Sequence, residues 1–272
     1  FLAVGFYRPH TPFTAPKRYF DLYPKDKIPL PHVPENHWDT LPEGAWMSRK
    51  PEQDRLTDDL RREAIQAYHA ATTFMDAQVG RVLQALDRLK LRDKTIIVFT
   101  SDHGFHLGEH GLWQKQSLFE GSSRVPLIIV DPRIKTKGRT SHGPVELLDL
   151  YPTLADLCGL KAPPYLDGKS LRPMLIDPET SVKPAAFTQV KRRDYHGYAV
   201  SDGRYRYIEW DRGRAGVQLY DLKNDPGELN NLAGIQKYAA KEAQLKRLVA
   251  QNWNYDPAED QKANPPQNRP RK

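Results

Sequence analysis

The chain has 272 residues, enough for one large domain or two smaller ones, and 39% of them are hydrophobic, which can supply a core. The mean hydropathy is −0.71 and the sequence has no apolar stretch long enough to span a membrane, which excludes a membrane-spanning helix. The net charge of +7 favours acidic partners, but no zinc finger, RNA-binding signature or basic helix accompanies it, so a nucleic-acid partner is not expected. A single cysteine excludes an internal disulfide.

The first half of the chain alternates irregular stretches with regular elements. An apolar run at residues 1–4 predicts a strand, and the prolines after it enforce an extended loop. Residues 25–51 are rich in proline and aromatic side chains without a clear period, which indicates a long surface loop. Thr57 is then a helix N-cap, and apolar residues at helical spacing continue to Leu91. An unbroken helix of that length would be about 50 Å long, with its apolar stripe facing the core.

Two further strands are predicted at residues 95–100 and 127–130. Because a long helix comes before the first of them, the order of elements is typical of a parallel crossover. The only cysteine, Cys158, follows in an apolar helical pattern, where a small buried hydrophobic residue is its expected role.

Beyond Gly168 the pattern changes to short strands, at residues 187–190, 198–201, 205–210 and 218–220. Asp202-Gly203 between two of them is a hairpin signal, so we predict a small antiparallel sheet. A helix is predicted at residues 239–252. The polar, proline-rich end of the chain is expected to be disordered.

The most informative motif is Ser101-Asp102-His103-Gly104, which directly follows a predicted buried strand. Open α/β sheets bind ligands just beyond the carboxyl ends of their strands. Asp102 and His103 can face one ion only if the backbone turns sharply, and Gly104 permits that turn. A strand followed by an ordinary Asx turn explains these four residues equally well.

The next segment, residues 105–115, combines histidines, a carboxylate and a lysine with glycines. His106, Glu109 and His110 fit the H-x-x-E-H pattern of one class of zinc proteases, which requires a helix. The glycines of this segment oppose a helix, because each costs about 1 kcal/mol relative to alanine. We therefore predict a glycine-rich active-site loop and keep the zinc site as an alternative.

Residues 100–115, followed by 124–130, resemble the sulfatase family of the alkaline-phosphatase superfamily, and within it the iduronate-2-sulfatase-like branch. The resemblance continues in Pro9-His10-Thr11-Pro12, in residues 149–154 and in residues 219–222 with Asp225-Pro226, and it ends near Asn231. It implies an α/β fold, with part of a sulfatase-type mixed sheet flanked by helices and a small C-terminal antiparallel subdomain. The implied division is residues 1–167 for the C-terminal portion of the core, 168–255 for the subdomain with its terminal helix, and 256–272 for the tail.

The resemblance also implies roles for individual residues. Asp102 and His103 match positions that complete a site for a divalent metal, and calcium is the expected ion because it prefers oxygen ligands. Lys115 matches the lysine that holds the sulfate, where an ammonium offsets the charge of the transferring group. His10 matches the histidine near the leaving oxygen, where a group that titrates near neutrality can donate a proton.

Two further residues, Glu109 and His110, are expected on the wall of the pocket without an assigned chemical role. The family's nucleophile, a formylglycine made within a Cys-x-Pro/Ser/Ala-x-Arg motif, and two metal-binding aspartates have no match. Cys158 lacks the arginine that this motif requires.

The resemblance therefore implies a sulfuric ester hydrolase of which this chain is the C-terminal part, inactive alone. Its expected partners are the missing N-terminal half of the same protein, which would carry the formylglycine, and a sulfated glycan or other sulfate ester. A periplasmic, secreted or lysosomal location is implied by the resemblance alone. Two alternatives remain open: a phosphodiester or phosphonate hydrolase of the same superfamily, and a non-catalytic glycan-binding remnant.

Overall fold

A computed structural model of the protein describes residues 1–192 and 195–255, so the expected tail at 256–272 lies outside the described residues. The helices are α1 (Lys17–Phe20), α2 (Glu43–Trp46), α3 (Asp58–Arg88), α4 (Glu120–Ser123), α5 (Leu150–Leu157), α6 (Arg172–Ile176) and α7 (Ala239–Asn252). The strands are β1 (Ile97–Thr100), β2 (Leu127–Val130), β3 (Ala186–Arg192), β4 (Tyr195–Ser201), β5 (Tyr205–Trp210) and β6 (Val217–Asp221). Within the described residues, no helix is both long enough and apolar enough to cross a membrane.

The long helix α3 confirms the helix predicted from the apolar spacing. The side-chain oxygen of Thr57 accepts a hydrogen bond from the backbone amide of Leu60 (3.3 Å), as expected of an N-cap. The helix has 31 residues, which corresponds to about 46 Å. It ends at Arg88 rather than at Leu91, because Lys90 takes a left-handed conformation (φ 56°) that an α-helix does not contain.

Strands β1 and β2 confirm the two predicted strands of the first half, but they pair antiparallel, with Ile97 opposite Val130 and Thr100 opposite Leu127. The predicted parallel crossover is therefore wrong. A crossover needs a strand on each side of the helix, and the chain before α3 supplies none within the described residues. Instead the chain turns back after β1 and returns as β2.

The strand predicted at residues 1–4 is also wrong. These residues belong to no strand, and the side chains of Phe1 and Leu2 are exposed. An extended segment becomes a strand only when a neighbour pairs with its backbone amides and carbonyls, and the described residues place no strand beside this one.

The C-terminal half forms the predicted antiparallel sheet, in the order β3–β4–β5–β6. The hairpin between β4 and β5 is closed by Asp202: its amide donates to the Tyr205 carbonyl (3.1 Å) and its Oδ1 accepts from the Tyr205 amide (2.7 Å). Gly203 takes a φ of 93° there, which a glycine adopts without strain. The Asp-Gly hairpin signal is thereby confirmed.

Both faces of this sheet are covered. Helix α7 packs against one face, where its Leu245 and Val249 form a core with Val200, Tyr207 and Leu219. Helix α7 itself has the bounds predicted for the terminal helix.

The opposite face receives the segment that follows β1. Its side chains Leu112, Leu118 and Phe119 pack against Trp210 and Tyr220 of the sheet in a second core. The glycine-rich segment is therefore fixed between two parts of the chain, and this position determines the geometry of the site.

Two local predictions need correction. Residues 25–51 are not only a surface loop, because Leu41 and Ala45 are buried in the second core and Gly44 lies against the ring of Trp210. Cys158 is exposed rather than buried, since it follows the last residue of α5 as the C-cap, outside the apolar face of the helix.

Candidate active site

The chain turns sharply directly after β1, where the predicted metal ligands lie. The amide of Gly104 donates to the carbonyl of Ser122 (2.8 Å), and a Cβ built on Gly104 would lie 2.2 Å from the carbonyl oxygen of Gly121. Two backbones approach so closely only where a side chain is absent. The predicted turn is present. Its glycine is required because a Cβ would not fit there, and not because of an unusual φ angle.

Asp102 and His103 point to one place. Nε2 of His103 lies 3.4 Å from Oδ2 of Asp102, while Nδ1 lies 2.8 Å from the carbonyl oxygen of Gly104. Because a carbonyl only accepts, Nδ1 carries the proton in that hydrogen bond, which leaves Nε2 of the neutral ring with a free lone pair. The carboxylate is largely exposed. The pair thus presents one oxygen and one nitrogen ligand, although no group of three or more metal-ligating side chains forms within the described residues.

Lys115 closes the glycine-rich loop at its other end. Its side chain is half-buried, and its ammonium has no hydrogen bond or ion pair with any of the described residues. A lysine that is removed from bulk water without a carboxylate partner is well suited to an anionic ligand.

His10 lies in an exposed loop with cis peptide bonds before Pro9 and Pro12. Its Nδ1 is 2.9 Å from the carbonyl of Thr11. The other ring nitrogen, Nε2, is therefore the one that remains available to a ligand. The arginine that begins this loop, Arg8, donates to the carbonyl of His10 (3.3 Å) and holds the turn.

An aromatic contact joins this loop to the turn that carries the predicted metal ligands. The rings of Phe13 and Phe105 meet edge to face at 5.9 Å, and Tyr68 of α3 contacts both. The structure therefore brings the His10 loop beside the turn that carries Asp102 and His103. A common pocket that includes Lys115 stays a prediction.

His106 and His110 lie in the interior. Nε2 of His106 is 2.8 Å from Oγ of Ser117, and Nδ1 of His110 is 2.8 Å from Nε2 of His37, while the His110 ring stacks on Phe119 at 3.8 Å. Burial lowers the pKa of His106 to about 4. Burial, with smaller contributions from His106 and His37, lowers the pKa of His110 to about 2, so both rings are neutral at ordinary pH.

This arrangement does not support the zinc alternative. His106 and His110 share no helix face, because Gly108 and His110 take left-handed conformations (φ 113° and 56°). One nitrogen of each ring is already engaged in a hydrogen bond. The predicted glycine-rich loop is confirmed.

Of the two residues expected on the pocket wall, Glu109 lies at the surface and His110 lies in the core. The half-exposed side chain of Glu109 accepts a hydrogen bond from the amide of Leu107 (2.6 Å) and so fixes the turn. The side chain of His110 points into the core, whereas Gly108, Gly111 and Trp113 of the same segment line a cleft of about 480 Å³.

Sequence reasoning missed two buried polar groups around this loop. His37, in the predicted surface loop, is buried and bonded to His110. Glu228 accepts from the amide of Glu120 at the start of α4 and faces Arg206 at 3.1 Å, and burial raises its pKa to about 7 despite that arginine. Neither His37 nor Glu228 stands in a recognisable motif. The one nearby signal is the Asp225-Pro226 block, which ends two positions before Glu228.

Comparison with known proteins agrees with these features. The family described as "Sulfatase" matches residues 1–160, and the one described as "N-sulphoglucosamine sulphohydrolase, C-terminal" matches residues 108–254. A curated sulfatase of Formosa agariphila is 36% identical over 254 residues, which are 92% of this chain and 49% of that protein. Iduronate 2-sulfatase of Homo sapiens is 40% identical over 202 residues, 60% of this chain and 36% of that protein.

Among solved structures, the phosphonate monoester hydrolase of Agrobacterium radiobacter is similar with a TM-score of 0.76 and 29% identity, covering 91% of this chain and 55% of that one. The chain therefore spans about half the length, or less, of these relatives. Since the sulfatase description matches more than half of the chain, and the mixed α/β architecture agrees, the chain belongs to the sulfatase family.

Proposed function

We propose that the chain is the C-terminal part of a sulfuric ester hydrolase that acts on a sulfate ester of a glycan, as an iduronate-2-sulfatase-like enzyme. One observation carries the proposal: a single loop presents the Asp102–His103 ligand pair at one end and the unpartnered ammonium of Lys115 at the other. A cation site and a lysine ammonium together suit a negatively charged transferring group such as the sulfate of an ester.

The ligand pair fits part of a divalent metal shell. The carboxylate of Asp102 is exposed, and Nε2 of His103 has its lone pair free toward it. We propose Ca²⁺ because of the carboxylate, although an imidazole also suits transition metals. When bound, such an ion supplies positive charge that polarises the sulfate oxygens. Two side chains alone are an incomplete shell, so the remaining ligands come from outside the described residues.

We propose different roles for Lys115 and His10. The ammonium of Lys115 binds sulfate oxygens and offsets their charge as the ester bond lengthens. His10, whose Nδ1–H is held by Thr11, delivers the proton on Nε2 to the leaving alkoxide oxygen. The nucleophile that the N-terminal half would supply forms a new bond to sulfur as the ester S–O bond breaks, and the alcohol leaves with the proton from His10.

We further propose that the chain alone is inactive. Its one cysteine, Cys158, is exposed and is followed by Gly159 and Leu160, without the arginine of the formylglycine motif. The missing N-terminal half is the proposed source of that formylglycine, which supplies the nucleophile for sulfur. A periplasmic, secreted or lysosomal location would accompany this function.

A second candidate has a specific observation in its favour. The structural similarity to a phosphonate monoester hydrolase, with a TM-score of 0.76, favours a phosphonate or phosphodiester substrate at the same metal and lysine. A glycan-binding remnant without catalysis is the third candidate, supported by the partial ligand shell.

The test compares the 272-residue chain with the same chain joined to the upstream segment of its own gene. Both are assayed with an aryl sulfate and an aryl phosphodiester side by side. The expected result is no turnover by the chain alone, and preference for the sulfate by the joined protein. Preference for the phosphodiester would establish the second candidate, and an inactive joined protein would establish the third.

Point variants of the joined protein then test the assignment of residues. Lys115→Ala should lower kcat/KM about 100-fold or more, the size of loss seen when one charge-stabilising donor is removed. The matched control is Lys161→Ala, which removes an exposed lysine outside the loop and should leave the rate unchanged. Equal rates for Lys115→Ala and the control would contradict the proposed sulfate contact.

A further inference from the structure

Three buried polar side chains form a hydrogen-bonded network beneath the glycine-rich loop. Nε2 of His106 lies 2.8 Å from Oγ of Ser117, and Oγ of Ser117 lies 2.9 Å from Oγ of Ser122. His106 has no exposed surface, and both serines are buried. Burying polar groups costs free energy unless they are hydrogen-bonded, and here each of the three finds its partner within the network. The proposed reaction uses none of them.

One end of the network holds the turn that carries the predicted metal ligands. The carbonyl of Ser122 accepts a hydrogen bond from the amide of Gly104 (2.8 Å), and Gly104 directly follows His103. Ser122 therefore bonds to the turn through its backbone and to Ser117 through its side chain. A shift of Ser122 would move the turn.

The other end of the network holds the backbone around Lys115. The amide of Ser117 donates to the carbonyl of Lys115 (3.1 Å), and the amide of His106 donates to the carbonyl of Gln114 (2.9 Å). The two residues that share the side-chain hydrogen bond thus also fix the backbone at Lys115 and at the residue before it.

The imidazole of His106 is packed tightly against α4. A Cβ built on Gly121 would lie 2.8 Å from two atoms of the ring, and the ring meets that of Phe119 edge to face at 6.3 Å. This packing leaves the ring little room to turn, so Nε2 stays directed at Ser117.

Ser117 is the centre of the network. Besides His106 and Ser122, its Oγ accepts a hydrogen bond from the amide of Phe119 (3.3 Å). A hydroxyl has one proton and two lone pairs, so these three contacts use its full hydrogen-bonding capacity. A side chain without a hydroxyl at this position would separate the Lys115 end of the network from the Ser122 end.

We propose that Ser117 is a positioning residue for ester hydrolysis, which sets the distance between the Lys115 ammonium and the ligand pair Asp102–His103. The proposal rests on the proposed function for the roles of that lysine and that pair. Ser117 acts through the backbone contacts and not on the substrate, because its hydroxyl is buried and fully engaged. A misplacement of about 1 Å can cost on the order of 100-fold in rate, so small shifts matter.

The experiment measures ester hydrolysis by the joined protein after removal of this hydroxyl. Ser117→Ala should lower kcat/KM for the aryl sulfate about 10-fold or more, because the ammonium is then displaced from the transferring group. The matched control is Ser123→Ala, which also removes a hydroxyl of α4, one that donates only to the carbonyl of Phe119 (2.9 Å). It should keep the rate within about 2-fold of wild type. Equal rates for Ser117→Ala and this control would overturn the proposal.

A double-mutant cycle distinguishes positioning of Lys115 from a general loss of structure. In a Lys115→Ala background, Ser117→Ala should cost less than about 3-fold, because the ammonium that the network positions is already absent. An equal loss in both backgrounds would overturn the positioning role. If circular dichroism shows that Ser117→Ala does not fold, the same cycle is measured with Ser117→Cys, whose thiol fills the space but is a weak hydrogen-bonding group.

The two proposals fail separately. A joined protein that hydrolyses the aryl sulfate equally fast with and without the Ser117 hydroxyl would refute the positioning role and leave the sulfatase proposal standing. A joined protein that prefers the phosphodiester would refute the sulfatase assignment. The cycle is then measured with the phosphodiester, where the same pattern of losses would support the positioning role and its absence would refute it.

Discussion

The two sheets of this molecule are covered very differently. The four-stranded sheet has α7 on one face and the glycine-rich segment on the other, and Tyr207 and Leu219 within it have no exposed surface. In the pair β1–β2, Ile128 is 56% exposed and Val130 is 43% exposed. The four-stranded sheet is buried on both faces, in what we call the complete core. The pair β1–β2 presents apolar side chains that the described residues leave uncovered.

The part of the chain with the larger buried core is therefore not the part that carries the proposed metal ligands. Asp102 and His103, the proposed metal ligands, and His10 belong to the poorly covered part of the chain. The loop that ends at Lys115 is nevertheless anchored in the complete core, through Leu112 and Phe119. The C-terminal sheet therefore stabilises a site to which it contributes no proposed catalytic residue.

The largest expected effect tests the complete core. Trp210→Ala should lower the free energy of unfolding by about 3–5 kcal/mol, because it removes a large side chain that is only 1% exposed. Urea unfolding followed by far-UV circular dichroism measures the loss. A loss below about 1 kcal/mol would show that the surrounding segments collapse onto the vacated space and that the comparison overstates this core.

The next largest effect is a loss of stability at acid pH. His106 is neutral in the folded protein down to a pKa of about 4, whereas the unfolded chain takes up the proton near 6.5. Unfolding therefore binds a proton between these values, and stability should fall as the pH drops from 6.5 to 4, by up to about 3 kcal/mol from this residue.

The acid effect is measured as urea midpoints across that pH range. His106→Gln should make the curve less steep, with the remaining slope due to His110, while the control variant His142→Gln, at an exposed position, should leave it unchanged. Parallel curves for wild type and His106→Gln would refute the assignment.

Glu228 should act with the opposite sign. Burial raises its folded pKa to about 7 from an ordinary 4.5, so the folded state holds the proton longer than the unfolded chain. Its contribution is full below pH 4.5 and is lost as the pH rises through 7, again about 3 kcal/mol at most.

The difference between the stability curves of a variant and of wild type tests this assignment. Glu228→Gln should gain stability relative to wild type as the pH rises from 4.5 to 7.5, whereas Glu52→Gln, an exposed control, should follow wild type. If Glu228→Gln retains the wild-type slope, the carboxylate is ionised throughout and its pairing with Arg206 dominates.

The smallest effect tests the uncovered sheet. Ile128→Ser should change the free energy of unfolding of the chain by no more than about 0.5 kcal/mol, as is usual at exposed positions. The same urea titration applies. A loss comparable to that of Trp210→Ala would mean that the face of β2 is covered in solution, and the contrast between the two sheets would disappear.

Local sequence signals predicted the regular elements well. Helix α3, with Thr57 as its cap, and the hairpin at Asp202 follow from spacing and turn chemistry, which short stretches of sequence contain. The antiparallel direction of β1 and β2 did not follow, because strand pairing depends on which segment comes to lie alongside. The strand predicted at residues 1–4 failed for the same reason.

The site was predictable only where residues stand in motifs. Asp102, His103 and Lys115 are close in the sequence, so a local motif can name them together, and their chemical roles stay predictions. The contact between His37 and His110 joins residues far apart in the sequence, and no local pattern indicates it. The cleft beside this loop, lined by residues from distant parts of the chain such as Trp38 and Trp113, likewise exists only after folding.

The indole of Trp210 occupies space that two glycines leave open. A Cβ on Gly44 would lie 2.4 Å from this ring, and one on Gly197 would lie 2.6 Å from it. Strands β4 and β5 are neighbours in sequence, so their contacts are local, whereas the contact of α2 with the ring joins distant parts of the chain. The C-terminal hairpin thus supplies the surface on which residues 30–54 dock, and the cleft that these residues line depends on that hairpin.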